Sequence, residues 1–185
     1  MLATLLPALT SILADAAHMT RAVDALVAAA RAEGGPRGTS DARQAADRAV
    51  ASYASVAERG RIALRLDAPS AGPRVGVDGD LVERILSPLL ENACRHGVST
   101  VEVSVRADNG AVVIDVVDDG PGVSAEEAER IFEPGIRAAN STNGQTGARA
   151  GLGLALARRL AQAARGTVTV QPGSGGRFRV RLPVA

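Results

Sequence analysis

The chain has 185 residues, room for one full domain and an appendage. Its 21 basic and 20 acidic residues leave a formal charge of +1, which excludes the strongly basic surface that nucleic acid or an anionic membrane selects. The single cysteine excludes a disulfide framework. No apolar run approaches the roughly 20 residues of a membrane-spanning helix and no secretory signal pattern is present, so a soluble, cytoplasmic protein without membrane contact is expected. With two Phe, one Tyr and no Trp, the core must be aliphatic. Every basic residue is Arg, so any phosphate contact must come from Arg, His or backbone amides.

Leu2, Leu5, Leu9, Ile12, Ala16, Met19, Val23, Leu26 and Ala30 alternate steps of three and four, the seam of a long helix that packs lengthwise on a partner. The helix can bury that seam on its own domain or, the preferred reading, in a homodimer contact. Residues 1–33 are assigned to it. Residues 34–40, rich in Gly and Pro, read as a linker, and residues 41–185 as a domain. Asp41 with Gln44 predicts a helix start, with Ala45, Ala49, Val50, Tyr53, Val56 and Ala57 as its buried face and Gly60 as its end. Strands are predicted over 62–66 and 74–77. A second helix is expected from a capping pair, Asp80 and Glu83, to about Arg95, with Leu81, Ile85, Leu86, Leu89, Leu90 and Ala93 toward a sheet.

The nearly continuous β-branched run 112–117 predicts a central strand, and it ends in Asp118-Asp-Gly-Pro-Gly122. A carboxylate at the rim of an apolar strand needs a polar partner, and glycines beside it admit another molecule to the backbone. Asp119 is expected to cap a loop or face water. Ser124 and Glu127 predict a capped short helix ending near Phe132. Residues 134–150 are polar and small, which predicts a lid or a disordered loop. Gly151-Leu-Gly-Leu154 then opens a helix over 152–165, with Leu154, Leu156, Leu160 and Ala161 toward the core. Glycines at a helix start expose amide donors and the positive end of the dipole, a seat for phosphate. Two closing strands, 167–171 and 177–182, flank the loop 172–176.

Four motifs in order carry a resemblance: Leu-Leu-Glu-Asn-Ala-Cys-Arg-His-Gly (89–97), Asp-Asp-Gly-Pro-Gly (118–122), Ile-Phe-Glu-Pro-Gly-Ile-Arg (131–137) and Gly-Leu-Gly-Leu (151–154). From about Ile62 onward the chain resembles the ATP-binding domain of sensor histidine kinases, whose fold is shared with DNA gyrase and the MutL mismatch-repair protein. The resemblance implies an α+β fold, a two-layer sandwich whose mixed, mostly antiparallel sheet carries helices on one face, preceded here by the long N-terminal helix. It implies ATP and Mg²⁺ as ligands and transfer of the γ-phosphoryl to a histidine on a helical hairpin, for relay to a response regulator.

Carried over residue by residue, the resemblance makes Asn92 the Mg²⁺ ligand, in keeping with that ion's demand for hard oxygen. It makes Asp118 the acceptor for the adenine amino group, and Gly120 and Gly122 the backbone wall of the purine pocket. Arg95 and His96 match phosphate or ribose contacts, and Gly151, Leu152, Gly153 and Leu154 the triphosphate seat. Arg137 and Arg149 are candidate phosphate cations, and Phe132 is the wedge at the lid hinge.

The chain also departs from the pattern. Pro88 stands where relatives carry a polar side chain, Arg149 where they carry Gly, and Arg177 where they often carry Thr. His18 is followed by Met19 rather than an acid, and reads as a solvated or interfacial histidine on the hairpin's second helix, not as the phosphate acceptor. An anti-sigma-factor-like serine kinase and a nucleotide-binding dimerisation module without transfer activity are the alternative functions.

Overall fold

The computed structural model describes residues 38–134 and 152–185; the N-terminal seam, His18, Arg137, Arg149 and Gly151 lie outside the described residues. The order of elements is β1 (Ser40–Asp41), α1 (Ala42–Gly60), β2 (Ala63–Asp67), β3 (Arg74–Val75), α2 (Gly79–His96), β4 (Thr100–Asp108), β5 (Ala111–Asp118), a 3₁₀ turn (Arg130–Phe132), α3 (Gly153–Ala163), β6 (Thr167–Val170) and β7 (Arg177–Pro183).

The Asp41 carboxylate accepts the Gln44 N–H at 3.1 Å and starts α1 as its sequence predicts. The buried face of α1 is a stripe of small side chains, Ala42, Ala45, Ala46, Ala49 and Ala57, which lets the helix lie close to its neighbours. Val56, expected on that face, falls beside the stripe and is exposed. The helix ends at Gly60 as its sequence predicts, and the next residue, Arg61, takes the left-handed conformation that caps it (φ 56°).

Helix α2 begins earlier than expected, and the Asp80–Glu83 capping pair does not form. Asp78 precedes the first turn without a side-chain cap bond, and Glu83 is drawn instead to the Arg48 guanidinium of α1. Val82, Ile85, Leu86, Leu89, Leu90 and Ala93 are fully buried against the sheet, whereas Leu81 is only half-buried. Each large aliphatic side chain there contributes roughly 1.5–3 kcal/mol.

Five strands in the order β2-β4-β5-β7-β6 make the main sheet. Only β2 and β4 run parallel, so the sheet is mixed and mostly antiparallel; β1 and β3 form a separate two-stranded ribbon. Strand β4 was not foreseen, although Val101, Val103 and Val105 alternate with exposed neighbours and Asn109 and Gly110 (φ 46° and 74°) make the tight turn into β5. Val112, Ile114 and Val116 of β5 face the helices with Phe178, Val180 and Leu182 of β7. In α3, Ala155, Ala157 and Ala161 fill the core, and the expected Leu154, Leu156 and Leu160 are only partly buried. The small face lets α3 approach α2 closely.

On the sheet's other face Val113 lies opposite Arg106 on one side and Arg181 on the other, and is fully buried. The arginine stems cover it while their heads stay in water. Asp115 anchors that cover, accepting from Arg106 at 2.6 Å and from Arg179 at 2.7 and 3.1 Å; Arg181 pairs with Asp108 at 2.9 Å. Burial pushes the Asp115 carboxyl up, but the hydrogen bonds and charges of Arg179 and Arg106 outweigh it and hold the group below 3.8. A depressed folded-state value means stability that is present above the unfolded value and lost as pH falls through the folded one. Asp115→Asn is therefore expected to cost about 1 kcal/mol at pH 7. In thermal melts across pH, its deficit should shrink once pH drops below about 4; a deficit independent of pH would remove the ion pairs as its cause.

Candidate nucleotide site

Strand β5 delivers Asp118 to the rim of the core at 3% exposure, the one buried charged side chain among the described residues. Its Oδ1 accepts the N–H groups of Gly120 (2.9 Å) and Gly176 (3.2 Å). Its Oδ2 is buried and has no hydrogen-bond partner among the described residues. A buried acceptor left open is costly, and at the end of a strand it marks a place where a donor from outside completes the protein.

The walls around that oxygen come from three separate stretches. The loop 172–176 is zipped to the acidic turn by paired bonds between Val123 and Gly173 (3.2 and 3.0 Å) and by Gly175 N–H to Gly120 C=O (3.1 Å). The Asp118 N–H donates to the Gly176 carbonyl at 2.9 Å. Gly122 takes φ 79°, and a Cβ there would stand 1.8 Å from the Gly173 oxygen, so only glycine closes this turn. A Cβ on Gly120 would meet the His96 carbonyl at 2.3 Å, which shows how closely the end of α2 packs on the turn. Gly176 was missed from the sequence, because nothing local links it to Asp118, 58 positions earlier.

Pro88, Asn92 and His96 succeed one another at four-residue steps, so they share one face of α2. Pro88 sits against the start of α3: a Cβ on Gly153 would lie 3.2 Å from the Pro88 Cβ. Leu152, Gly153 and Leu154, which the sequence predicts as a phosphate seat, thus begin beside the helix face that carries Asn92, while the far end of the same helix meets Asp118. Arg95 is placed differently. It pairs with Glu91 at 3.2 Å and lines a groove between α1 and α2 with Ser52, Tyr53, Val56, Ser87 and Cys94. Burial, then the Arg95 charge, lowers the His96 imidazole below 6.5 against a smaller opposite pull from Asp118, so His96 is neutral at pH 7. Burial and the Asp118 charge push the Cys94 thiol above 9.0, keeping it protonated and a poor nucleophile.

Ser124 and Glu127 form the reciprocal pair expected of them, the Ser124 hydroxyl donating to the carboxylate at 2.8 Å and accepting the Glu127 N–H at 3.3 Å. Beyond this pair the chain makes a run of turns and the short 3₁₀ segment rather than a longer helix. Phe132 is buried there, edge-on to Phe178 with centroids 6.4 Å apart. The Arg158 guanidinium lies 5.0 Å above its ring and pairs with Glu129 at 2.8 Å, clamping the turn to α3. Among the described residues no group of three or more His, Cys, Asp or Glu side chains could hold a metal ion. A metal here would take its oxygens from a ligand's phosphates and from a side-chain amide such as that of Asn92.

Residues 77–185 match the family described as histidine kinase-, DNA gyrase B-, and HSP90-like ATPase. The chain belongs to that family. Among the relatives of this ATPase domain, the alginate biosynthesis sensor protein KinB of Pseudomonas aeruginosa is 36% identical over 131 residues, covering 69% of this chain and 21% of KinB. The sensor protein RstB of Escherichia coli K12 is 38% identical over 123 residues, 65% of this chain and 28% of RstB. The chain thus spans between a fifth and a third of the length of these two relatives. Full-length ShkA, solved in complex with AMPPNP, superposes with a TM-score of 0.69 and 28% identity over 80% of this chain and 31% of that one. The histidine kinase AdeS of Acinetobacter baumannii, at 18% identity and a TM-score of 0.68 over 91% of this chain and 78% of that one, shares the ATPase fold. No helix among the described residues is long and apolar enough to cross a membrane.

Proposed function

We propose that this chain is the ATP-binding catalytic domain of a two-component sensor histidine kinase. It would move the ATP γ-phosphoryl to a histidine on a helical hairpin of another segment or chain, for relay to a response regulator. The observation that carries the reading is the buried, unpartnered Oδ2 of Asp118. The adenine amino group supplies the donor that this oxygen lacks, whereas guanine would set a carbonyl against it. Gly120 and Gly122 would line the purine, and Leu152, Gly153 and Leu154 would present the start of α3 to the phosphates; Gly151, outside the described residues, belongs to the same proposed phosphate set.

Asn92 offers its side-chain carbonyl to Mg²⁺, which when bound neutralises charge on the phosphate oxygens. His96, neutral at pH 7, would contribute a hydrogen bond rather than a charge. Arg95 would reach phosphate by leaving Glu91, an exposed i,i+4 pair that holds it by only about 0.3–0.5 kcal/mol. Arg137 and Arg149 would add cations from the lid, and the clamped Phe132 would serve as its hinge. Pro88 leaves no polar side chain one turn ahead of Asn92 to polarise water, so transfer rather than gyrase-type hydrolysis is the reaction proposed. The domain division 1–33, 34–40 and 41–185, a homodimer through the N-terminal helix and a cytoplasmic location belong to the same proposal.

The test is to mix the chain with γ-labelled ATP, Mg²⁺ and a separate histidine-bearing hairpin. Label on the hairpin histidine is expected; label on a serine, or tight binding without transfer, would overturn the histidine-kinase assignment. Asn92→Ala should weaken ATP binding in Mg²⁺ roughly tenfold, the loss of one good contact to a charge, and leave binding in chelator unchanged. Equal losses with and without metal would contradict its role.

A further inference from the structure

We infer that Asp119 is a positioning residue that couples the purine end of the site to the metal-bearing helix; this rests on the roles proposed for Asp118 and Asn92. Asp119 is exposed where Asp118 is buried, so it looks idle beside it. Its carboxylate nonetheless accepts the N–H groups of three successive residues, 98–100, after α2 and the Ser99 hydroxyl. Oδ1 takes the N–H groups of Val98 (2.8 Å), Ser99 (3.0 Å) and Thr100 (3.1 Å), and Oδ2 takes the Ser99 hydroxyl at 2.6 Å. The Asp119 N–H returns a bond to the Thr100 carbonyl at 3.3 Å. The Ser99 hydroxyl, then the backbone donors, hold the carboxyl far below the ordinary carboxylate range.

The consequence lies at both ends of the loop. On one side Gly97 closes α2 through its N–H to the Ala93 carbonyl (2.8 Å), directly after Asn92, Arg95 and His96. On the other, Ser99 C=O accepts the Ala63 N–H that begins β2 (2.8 Å), and Thr100 starts β4. Asp119 itself comes one residue after the adenine-site carboxylate. It therefore ties the exit of the metal-bearing helix to the strand that ends in Asp118, and keeps the His96 carbonyl against Gly120. Without the tie, Asp118 would keep its own bonds to Gly120 and Gly176, but the last turn of α2 would be free to drift from it.

Asp119→Ala in the full chain tests this by two measurements. In the nucleotide-free protein, amide hydrogen exchange should accelerate at 92–100 and not in the sheet core. In calorimetry, the gain in ATP affinity on adding Mg²⁺ should shrink about tenfold, an ordinary size for coupling between sites, while affinity in chelator stays within about twofold of wild type. Asp119→Asn keeps an oxygen for the three amides and should restore most of the gain. Should Asp119→Ala not fold, Ser99→Ala removes the hydroxyl contact alone and should show the same pattern at smaller size. Unchanged exchange at 92–100, an intact Mg²⁺ gain, or equal loss with and without metal would each overturn the proposal. Failure of the functional reading would show in the wild-type chain, as no ATP binding or no benefit from Mg²⁺; failure of the coupling would show only in the variants.

Discussion

Asp118→Asn is expected to lower ATP affinity roughly a hundredfold, about 2.7 kcal/mol, without lowering the melting temperature of the nucleotide-free chain. Both halves come from the two carboxylate oxygens having different work. Oδ1 accepts from Gly120 and Gly176, and an asparagine oxygen can take the same two bonds. Oδ2 has no partner, and there the asparagine places an NH₂ group. That removes a buried negative charge and exchanges one unpartnered polar group, an acceptor, for another, a donor, so the free fold loses no hydrogen bond. It also turns a donor toward the adenine amino group, replacing a charged hydrogen bond with a donor–donor conflict. The same NH₂ group suits a 6-oxo purine, so inosine triphosphate should lose far less affinity than ATP, or gain. Calorimetry with both nucleotides and a thermal melt of the free protein decide it. Unchanged ATP affinity would take Asp118 out of the purine pocket; a large fall in melting temperature would make the residue a structural one.

Gly176→Ala should abolish ATP binding and destabilise the fold by about 1–3 kcal/mol, the usual cost of overpacking a tight site. A Cβ at this position would stand 2.1 Å from Asp118 Oδ2 and 2.9 Å from its Cγ. Neither side can retreat easily. Gly176 is pinned by its N–H to Oδ1 and by its carbonyl to the Asp118 N–H, and the carboxylate is walled by Gly120. The new methyl would occupy the open side of the unpartnered oxygen, where the adenine donor is proposed to arrive. Ser174→Ala, two residues away on an exposed side chain, is the control and should change neither property. If Gly176→Ala binds ATP as wild type does, the pocket is not bounded by the 172–176 loop.

The features legible in the sequence are those whose cause is local. A run of β-branched residues must bury itself as a strand, and an acidic, glycine-broken end to that run marks a rim, so Asp118, Gly120 and Gly122 stood out at once. Asp41 with Gln44 and Ser124 with Glu127 were legible because a cap bonds three residues along the chain. Asn92 was legible through its motif, 89–97, at the end of a helix that its apolar spacing predicts. Asp80 with Glu83 had the spacing of a cap and failed, since Arg48 on a neighbouring helix competed for the glutamate. The leucines of α3 were legible only in part: Leu154 and Leu160 pack against the core but stay partly buried, because the close approach to α2 at Gly153 and Pro88 favours the alanine face.

By itself the sequence determined most helices, strands and turns, because periodicity, capping and turn chemistry act over a few residues, and its four ordered motifs carried the resemblance that implied the fold and the site residues. Only the tertiary structure decided what those residues meet. The β5–β7 register sets Gly176 against Asp118, the packing of α3 on α2 sets Gly153 against Pro88, and the loop after α2 folds back onto Asp119. Such contacts join residues tens of positions apart, and they are chosen by which strands pair and which helix faces fit, a choice that no short stretch of the chain records.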